Sequence, residues 1–248
     1  MVSFALFASE QGLQYAVSRR DRSQPMEGSL ALHTGQLSEA IVRNRHDFSK
    51  QFDEAVAFVS PMQVHGNRVQ VVTDMLNRGW ETLDRTFEAD ALVTDLPGVV
   101  LTILTADCVP ILLYDPVRKV IGAVHAGWRG TQARIVVKTV ETMQTHCGSD
   151  PHNLIVGIGP AIGGCCYEVG AKVARQFAEY QDALIPKGNE KYQLDTKRIN
   201  ARQLIALGIP SSQIEISPVC TMCDHERFFS YRANQTDGRF MSGIMLKR

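Results

Sequence analysis

His65, Cys108 and His125 are the residues of this chain whose types could hold a metal ion or activate a nucleophile. Cys108 ends the segment Thr105-Ala106-Asp107-Cys108, and His125 opens His125-Ala126-Gly127-Trp128-Arg129-Gly130. His65 stands upstream, in Gln63-Val64-His65-Gly66-Asn67. Two imidazoles and one thiolate with a fourth position open are a donor set expected of a catalytic zinc. Such an ion activates water near neutral pH. Without a metal, the same Cys108 and His125 would be a nucleophile and its base, suited to hydrolysing an amide. The two readings make opposite demands, because a ligand thiolate is shielded whereas a nucleophile alkylates readily. His65 and Cys108 are 43 positions apart and Cys108 and His125 are 17, without the compactness of paired Cys-x-x-Cys knuckles. A lone buried Cys is more often a small inert hydrophobe. The combination with two histidines argues for chemistry.

The elements that must position these groups are short apolar runs. Residues 99–104, 109–114 and 120–124 read as buried strands, bounded by Gly, Pro and Asp. Cys108 and His125 then lie at the ends of neighbouring strands. Gly66, Pro110 and Gly127 read as turn residues that leave each candidate group at a loop edge. Residues 2–8 and 13–18 read as an opening hairpin, and residues 37–52 as a helix with Ile41, Phe48 and Phe52 on one face. Arg45 falls on that same stripe, where it either snorkels outward or anchors a buried anion or loop. Further helices are expected over 131–146 (Val136, Val140 and Met143 inward), 171–180 and 195–207, the last stopped by Gly208 and Pro210. Strands are expected over 153–158, 214–217 and 239–246. This mixed order predicts mixed sheets covered by helices, not a barrel or a dinucleotide-binding fold.

Composition narrows the partners. The 248 residues carry 26 basic and 26 acidic side chains, and the basic clusters are short: Arg19, Arg20 and Arg22, then Lys247 and Arg248. No polyphosphate partner is expected, so nucleic acid is set aside. No apolar run approaches the roughly 20 residues that cross a bilayer. Residues 1–8 are too short and lack the basic leader of a signal peptide. Six cysteines, two of them adjacent at Cys165 and Cys166, do not look like a disulfide framework. The expectation is a cytoplasmic, reduced protein without a membrane partner, acting as a monomer.

Three other constellations carry chemistry. Residues 157–164, Gly-Ile-Gly-Pro-Ala-Ile-Gly-Gly, leave a strand as a glycine-rich loop ahead of a helix, read either as a phosphate cradle or as a plain tight turn. Phe228-Phe229-Ser230-Tyr231-Arg232 and Gly238-Arg239 set two arginines around an aromatic cluster. A guanidinium binds phosphate in a bidentate way and an aromatic face stacks a planar base; a core strand with solvated arginines is the plainer reading. Cys220-Thr221-Met222-Cys223-Asp224-His225 offers three donors in six residues as a rival metal site. A structural zinc needs four, and the neighbouring sequence holds no second pair.

Taken together, several motifs resemble the YfiH/laccase-domain family. They are Gln63-Val64-His65-Gly66, Ala89-Asp90-Ala91-Leu92-Val93-Thr94, Thr105-Ala106-Asp107-Cys108-Val109-Pro110, and Val124-His125-Ala126-Gly127-Trp128-Arg129-Gly130. Ile158-Gly159-Pro160-Ala161-Ile162, Cys166-Tyr167-Glu168-Val169-Gly170, Phe229-Ser230-Tyr231-Arg232 and Gly238-Arg239 extend the match, which runs in order from about Asn44 to the C-terminus. The resemblance implies one domain over residues 1–248, of mixed α/β (α+β) class: a four-layer αββα sandwich with mixed sheets, shared with a bacterial toxin domain that uses a Cys–His pair. It implies zinc held by His65, Cys108 and His125. It also implies purine nucleoside phosphorylase activity on adenosine, inosine and methylthioadenosine, with adenosine deaminase activity beside it. Some bacterial members are described instead as editing peptidoglycan precursors that carry a wrong amino acid, and others as polyphenol oxidases.

The residues judge these labels. Seven histidines and no His-x-His cannot build a multicopper laccase centre within one chain. Copper occupancy of the three-ligand site stays open, because copper outcompetes zinc at nitrogen and sulfur donors. For phosphorolysis, Arg45, Arg129, Arg232 and Arg239 are candidate phosphate or ribose contacts, with Asn44 beside them. Asp107, next to Cys108, is a candidate orienting or acid–base group. The expected partners are therefore a purine nucleoside and phosphate.

Overall fold

Apolar runs this uniform need cover on both faces, and the chain supplies it with a second sheet on one side and helices on the other. In the computed structural model, which describes residues 2–35 and 37–248, the strands Val99–Thr105, Val109–Asp115 and Val120–Ala126 are buried along their whole length. A four-stranded sheet runs in the order Leu13–Val17, Phe240–Leu246, Val99–Thr105, Ala57–Val59. A six-stranded sheet runs Ile214–Ile216, Ile155–Ile158, Val109–Asp115, Val120–Ala126, Ala91–Thr94, Val69–Val71. Each mixes parallel and antiparallel pairs. Leu101, Ile103, Leu112, Tyr114, Ile121 and Ile244 form the core between them.

Helices close both outer faces. Ile135–Cys147 and Thr196–Ala206 cover the six-stranded sheet through Val136, Val140, Met143 and Leu204. Ser38–Ser49 covers the other through Phe48, with Phe52 just beyond it, against Val100, Leu104 and Met245. The result is the four-layer αββα arrangement. A small antiparallel sheet, Leu184–Gly188, Lys191–Leu194 and Glu168–Gly170, lies beside it. One connection matters most. Val99–Thr105 and Val109–Asp115 belong to different sheets, so Ala106, Asp107 and Cys108 carry the chain across the sandwich.

Several expectations need correction. No opening hairpin forms: Ala5–Ala8 is a helical turn, and Leu13–Val17 pairs with the last strand, Leu13 opposite Leu246. Phe4 and Phe7, three residues apart, both reach the Tyr15 ring, at 5.7 and 5.2 Å between centroids. That is helical spacing. Pro110 is not a turn residue but lies inside a strand, opposite His125. The helix expected over 131–146 is two, Trp128–Gln132 and Ile135–Cys147, broken where Arg134 turns left-handed at φ 57°. The helix expected over 171–180 shrinks to Ala171–Ala174 and a 3-10 turn, Arg175–Phe177. Gly157 belongs to the strand Ile155–Ile158, where a Cβ would sit 2.9 Å from the Phe4 ring.

Arg45 takes the anchoring reading. It is buried on the inner face of Ser38–Ser49. Its Nε donates to Leu30 O at 2.8 Å, and its Nη1 donates to Gly79 O at 2.5 Å and Trp80 O at 2.7 Å. The guanidinium also lies 5.3 Å from the Trp80 ring centroid. Burial draws its pKa down to about 9. Asn44 likewise donates to backbone, at Pro25 O and Ser29 O, both 2.9 Å. The pair ties two loops to a helix. Arg45→Ala leaves three carbonyls without a donor and should lower the unfolding free energy by about 3 kcal/mol or more, read by denaturant titration. A loss under about 0.5 kcal/mol would show that the anchor is dispensable.

Candidate metal centre

The site is assembled around Asp90, a fully buried carboxylate. Ala91–Thr94 pairs antiparallel with Val120–Ala126, Ala91 opposite Val124, so the register sets Asp90 against His125. The His125 N–H donates to Asp90 O at 2.7 Å. Asp90 Oδ1 lies 2.8 Å from His125 Nδ1. The same carboxylate accepts the backbone N–H groups of His65 at 2.9 Å and Gly66 at 2.7 Å. His65 sits in the left-handed region at φ 59°, which costs a non-glycine residue energy, and these bonds hold it there. Gln63 clamps the same loop to the other sheet, through Leu104 O at 2.7 Å and Leu104 N at 2.8 Å.

Cys108 is placed by its neighbour. Asp107 is also left-handed, at φ 86°, and is pinned at three points. Its carbonyl accepts from Ile162 N at 3.0 Å, its Oδ1 from Thr221 Oγ1 at 2.7 Å and its Oδ2 from Arg232 N at 2.6 Å. Both Asp107 carboxylate oxygens are thus engaged within the protein.

The donor atoms of His65, Cys108 and His125 all lie within 4.8 Å of one another. The two imidazoles meet edge to face, 4.8 Å between centroids. Burial alone would raise the Cys108 thiol, but the His125 charge and hydrogen bonds from both histidines outweigh it and draw the pKa down. Burial alone would lower His125; the Cys108 thiolate and Asp90 together push it up. Asp90 is held below the carboxylate range because His125 and the two backbone donors outweigh its burial. A thiolate, an imidazole whose Nδ1 is taken by a carboxylate, and a second imidazole fit a thiophilic divalent ion with one side left open. Zinc and copper both suit these donors.

The open side faces a cavity of about 350 Å³, lined by the trio and by His33, Gln63, Asp107, Ile162, Tyr167, Tyr231, Arg232 and Arg239, among others. Arg232 lies over the Tyr167 ring at 5.2 Å and donates to Glu168 O at 2.9 Å. Arg239 donates to Thr236 O and Gly238 O. Of the nine residues expected at the site, His65, Cys108, His125, Asp107, Arg232 and Arg239 line this cavity. Arg129 does not; it is exposed and stacks on Trp128 at 4.4 Å. Asn44 and Arg45 do not either. Asn44 instead borders a larger, more open hollow of about 810 Å³ formed by residues such as Tyr15, Arg19 and Gln51, with neither Cys nor His in its wall. Phe228 and Phe229 are core residues, so among the phenylalanines and tyrosines of the cluster and its surroundings Tyr167 and Tyr231 line the cavity.

Two contributors were missed. Asp90 carries an acidic residue at the mouth of an apolar strand, Ala91–Thr94, and that misplaced charge was the available signal. His33 lies on a 3-10 turn, Leu32–Thr34, ahead of the matched motifs; burial and the nearby Arg239 lower its pKa, so it stays neutral near pH 7.

The chain is similar to several known proteins. The family model "Multi-copper polyphenol oxidoreductase laccase" matches residues 17–247. A purine nucleoside phosphorylase of Bacteroides thetaiotaomicron is 33% identical over 227 residues, 87% of this chain and 83% of its own length. An adenosine deaminase, RL5, from an unknown prokaryote is 35% identical over 197 residues, covering 76% of this chain and 75% of its own. The crystal structure of the hypothetical protein YfiH from Bacillus licheniformis superposes with a TM-score of 0.89 at 32% identity, over 96% of this chain and 94% of that one.

Two variants test the site. Asp90→Asn removes the charge behind His125 and should weaken metal binding by about 10–100-fold, read by competition with a chromophoric chelator. Unchanged affinity would deny Asp90 its role. Gly127→Ala would bring a Cβ to 3.1 Å from both Cys108 Sγ and His65 Cδ2. It should lower metal occupancy without unfolding the protein, seen as lost metal with unchanged circular dichroism.

Proposed function

The chain belongs to the multi-copper polyphenol oxidoreductase laccase family, and from that membership we propose a zinc-dependent purine nucleoside phosphorylase with adenosine deaminase activity beside it. Adenosine, inosine and methylthioadenosine are the proposed substrates. The observation that carries the proposal is a single cavity in which the His65–Cys108–His125 trio meets two arginines and two tyrosines. The family's printed name points to oxidation, but among the described residues the one ligand group that contains histidine has two His and one Cys. That is too few for several coppers.

A zinc ion held by His65, Cys108 and His125 would supply Lewis acidity at the cavity floor. The remaining steps fall to the chain. Arg232 and Arg239 bring positive charge to a phosphate, and their remaining N–H groups can hold two of its oxygens. Tyr167 and Tyr231 offer faces on which a purine stacks. The bound phosphate oxygen attacks the sugar carbon, the carbon–nitrogen bond breaks, and its electron pair leaves with the base. Deamination uses the same cavity with water as nucleophile at the purine carbon that bears the amino group. A carbon–oxygen bond forms there, the carbon–nitrogen bond to the amino group breaks, and ammonia leaves with a proton from the water. Asp107 holds Arg232 and Cys108 in register, and Asp90 keeps His125 in one tautomer.

A second reading has its own observation. Cys108, His125 and Asp90 form a thiol, a base and an orienting carboxylate in sequence, the arrangement of a Cys–His hydrolase. Its substrate would be an amide, as in a peptidoglycan precursor carrying a wrong amino acid. Alkylation separates the two, since a ligand Cys108 is protected by metal and a nucleophile is not.

Metal-quantified protein incubated with adenosine and phosphate should release adenine and ribose-1-phosphate, with inosine appearing alongside. Cys108→Ala and His125→Ala should each lose the metal at this site and lower turnover by about 10²–10³-fold, the scale of a lost transition-state contact. Absence of turnover in wild-type protein with this site filled by zinc would overturn the phosphorylase reading.

A further inference from the structure

We infer that the chain holds a second metal ion, a zinc bound by Cys165, Cys166, Cys220 and Cys223. Their four sulfurs all lie within 4.8 Å of one another. Cys165 and Cys166 are 3.7 Å apart, Cys165 and Cys223 3.8 Å, and Cys166 and Cys223 3.3 Å. A zinc–thiolate bond of about 2.3 Å sets the sulfurs of a tetrahedron about 3.8 Å apart. A disulfide needs about 2.05 Å, and all four are free thiols. The spacing is that of a shared ion.

The surroundings are built for it. Cys220, the buried member, accepts the Gly163 N–H at 3.2 Å and a second backbone N–H from Cys223. Amide donors on sulfur favour the thiolate. A Cβ at Gly163 would come within 3.2 Å of Cys165 Sγ and 3.3 Å of Cys220 Cβ, so a side chain there would crowd the cluster. Four thiolates around a divalent ion leave net negative charge. Lys197, buried nearby, donates to Ser217 O at 2.7 Å and Val219 O at 3.0 Å, which places its ammonium beside the segment entering Cys220. His225, the third donor of the local sequence motif, turns to Met222 O at 3.1 Å and stays outside the cluster. The fourth and third ligands come instead from Cys165 and Cys166, more than fifty positions upstream.

Four protein donors leave no open position, so this site is structural rather than catalytic. It joins the loop after Ile155–Ile158 to the segment after Ile214–Ile216. Both segments back the cavity of the first site. Ala161 bridges to Cys220, Ile162 N donates to Asp107 O, and Thr221 Oγ1 donates to Asp107 Oδ1. The second ion therefore steadies the wall that sets Asp107, and through it Cys108.

The test counts metal. Full-length protein purified under reductant should carry two zinc ions per chain, falling to one in Cys108→Ala and to one in the double variant Cys220→Ser/Cys223→Ser. Metal-free Cys108→Ala titrated with Co²⁺ should take up one ion and show the intense sulfur-to-cobalt charge transfer of four thiolates. The double variant should instead show the weaker band of a single thiolate. Cys108→Ala that binds neither zinc nor cobalt would overturn the inference, as would native protein whose four cysteines are found by mass spectrometry in disulfides. Cys108→Ala leaves the cluster untouched, so the reading survives a double variant that fails to fold. Nucleoside turnover is not the readout, and its absence would bear on the first site alone.

Discussion

A buried carboxylate in a protein interior is unfavourable unless its oxygens are filled, and here the filling builds the site. Asp90 gathers the N–H groups of His65 and Gly66 on one side and the His125 ring on the other. Those bonds stabilise the charge, hold a strained loop and select an imidazole tautomer at once. The strand register that opposes Asp90 to His125 is therefore the constraint on which the centre depends. Asp107 repeats the device from the opposite side, with a left-handed backbone and three hydrogen bonds.

The parts of the molecule legible in the sequence were those with a local signature. The runs at Val99–Thr105, Val109–Asp115 and Val120–Ala126 announced buried strands, and the stripes at Ile41 and Phe48, or at Val136, Val140 and Met143, announced helices. Cys108 and His125 stood out in the sequence because each borders such a run, whereas His65, in Gln63-Val64-His65-Gly66-Asn67, stood out by residue type alone. What was not legible depended on partners distant in the chain. Nothing local says that Leu13–Val17 will pair with Phe240–Leu246 rather than with its neighbour. Arg45 could not be told from a solvated arginine until the carbonyls of Leu30, Gly79 and Trp80 closed over it. Arg129 looked like Arg232 by residue type, and only the helix Trp128–Gln132 turns it outward.

Pro110 illustrates how a local rule gives way to packing. A proline in a central strand removes a ladder donor and normally marks an edge or a bulge. Here it lies opposite His125, and its carbonyl still accepts Gly159 N at 2.8 Å. The missing donor lies on the side of the proline's own carbonyl, toward Gly159 and away from His125, whose N–H goes to Asp90 O. Departures from the regular ladder thus gather at the candidate centre, where Asp107, Pro110 and His65 all depart from ordinary backbone preference.

The crossing of Ala106, Asp107 and Cys108 between the two sheets has a thermodynamic consequence. The loop carrying His65 is clamped to both sheets, Cys108 is the end of the passage between them, and His125 belongs to the six-stranded sheet. Cys108 and His125 flank one hairpin, Val109–Asp115 with Val120–Ala126. His65 joins them only through its loop's bonds to both sheets, so a partly folded chain lacks the third donor. An ion that binds only the complete sandwich stabilises it by mass action, about 1.4 kcal/mol for each tenfold excess of free ion over its dissociation constant. The candidate centre would thus also act as a clasp: an ion held there would make its own occupancy and the docking of the two sheets a single equilibrium.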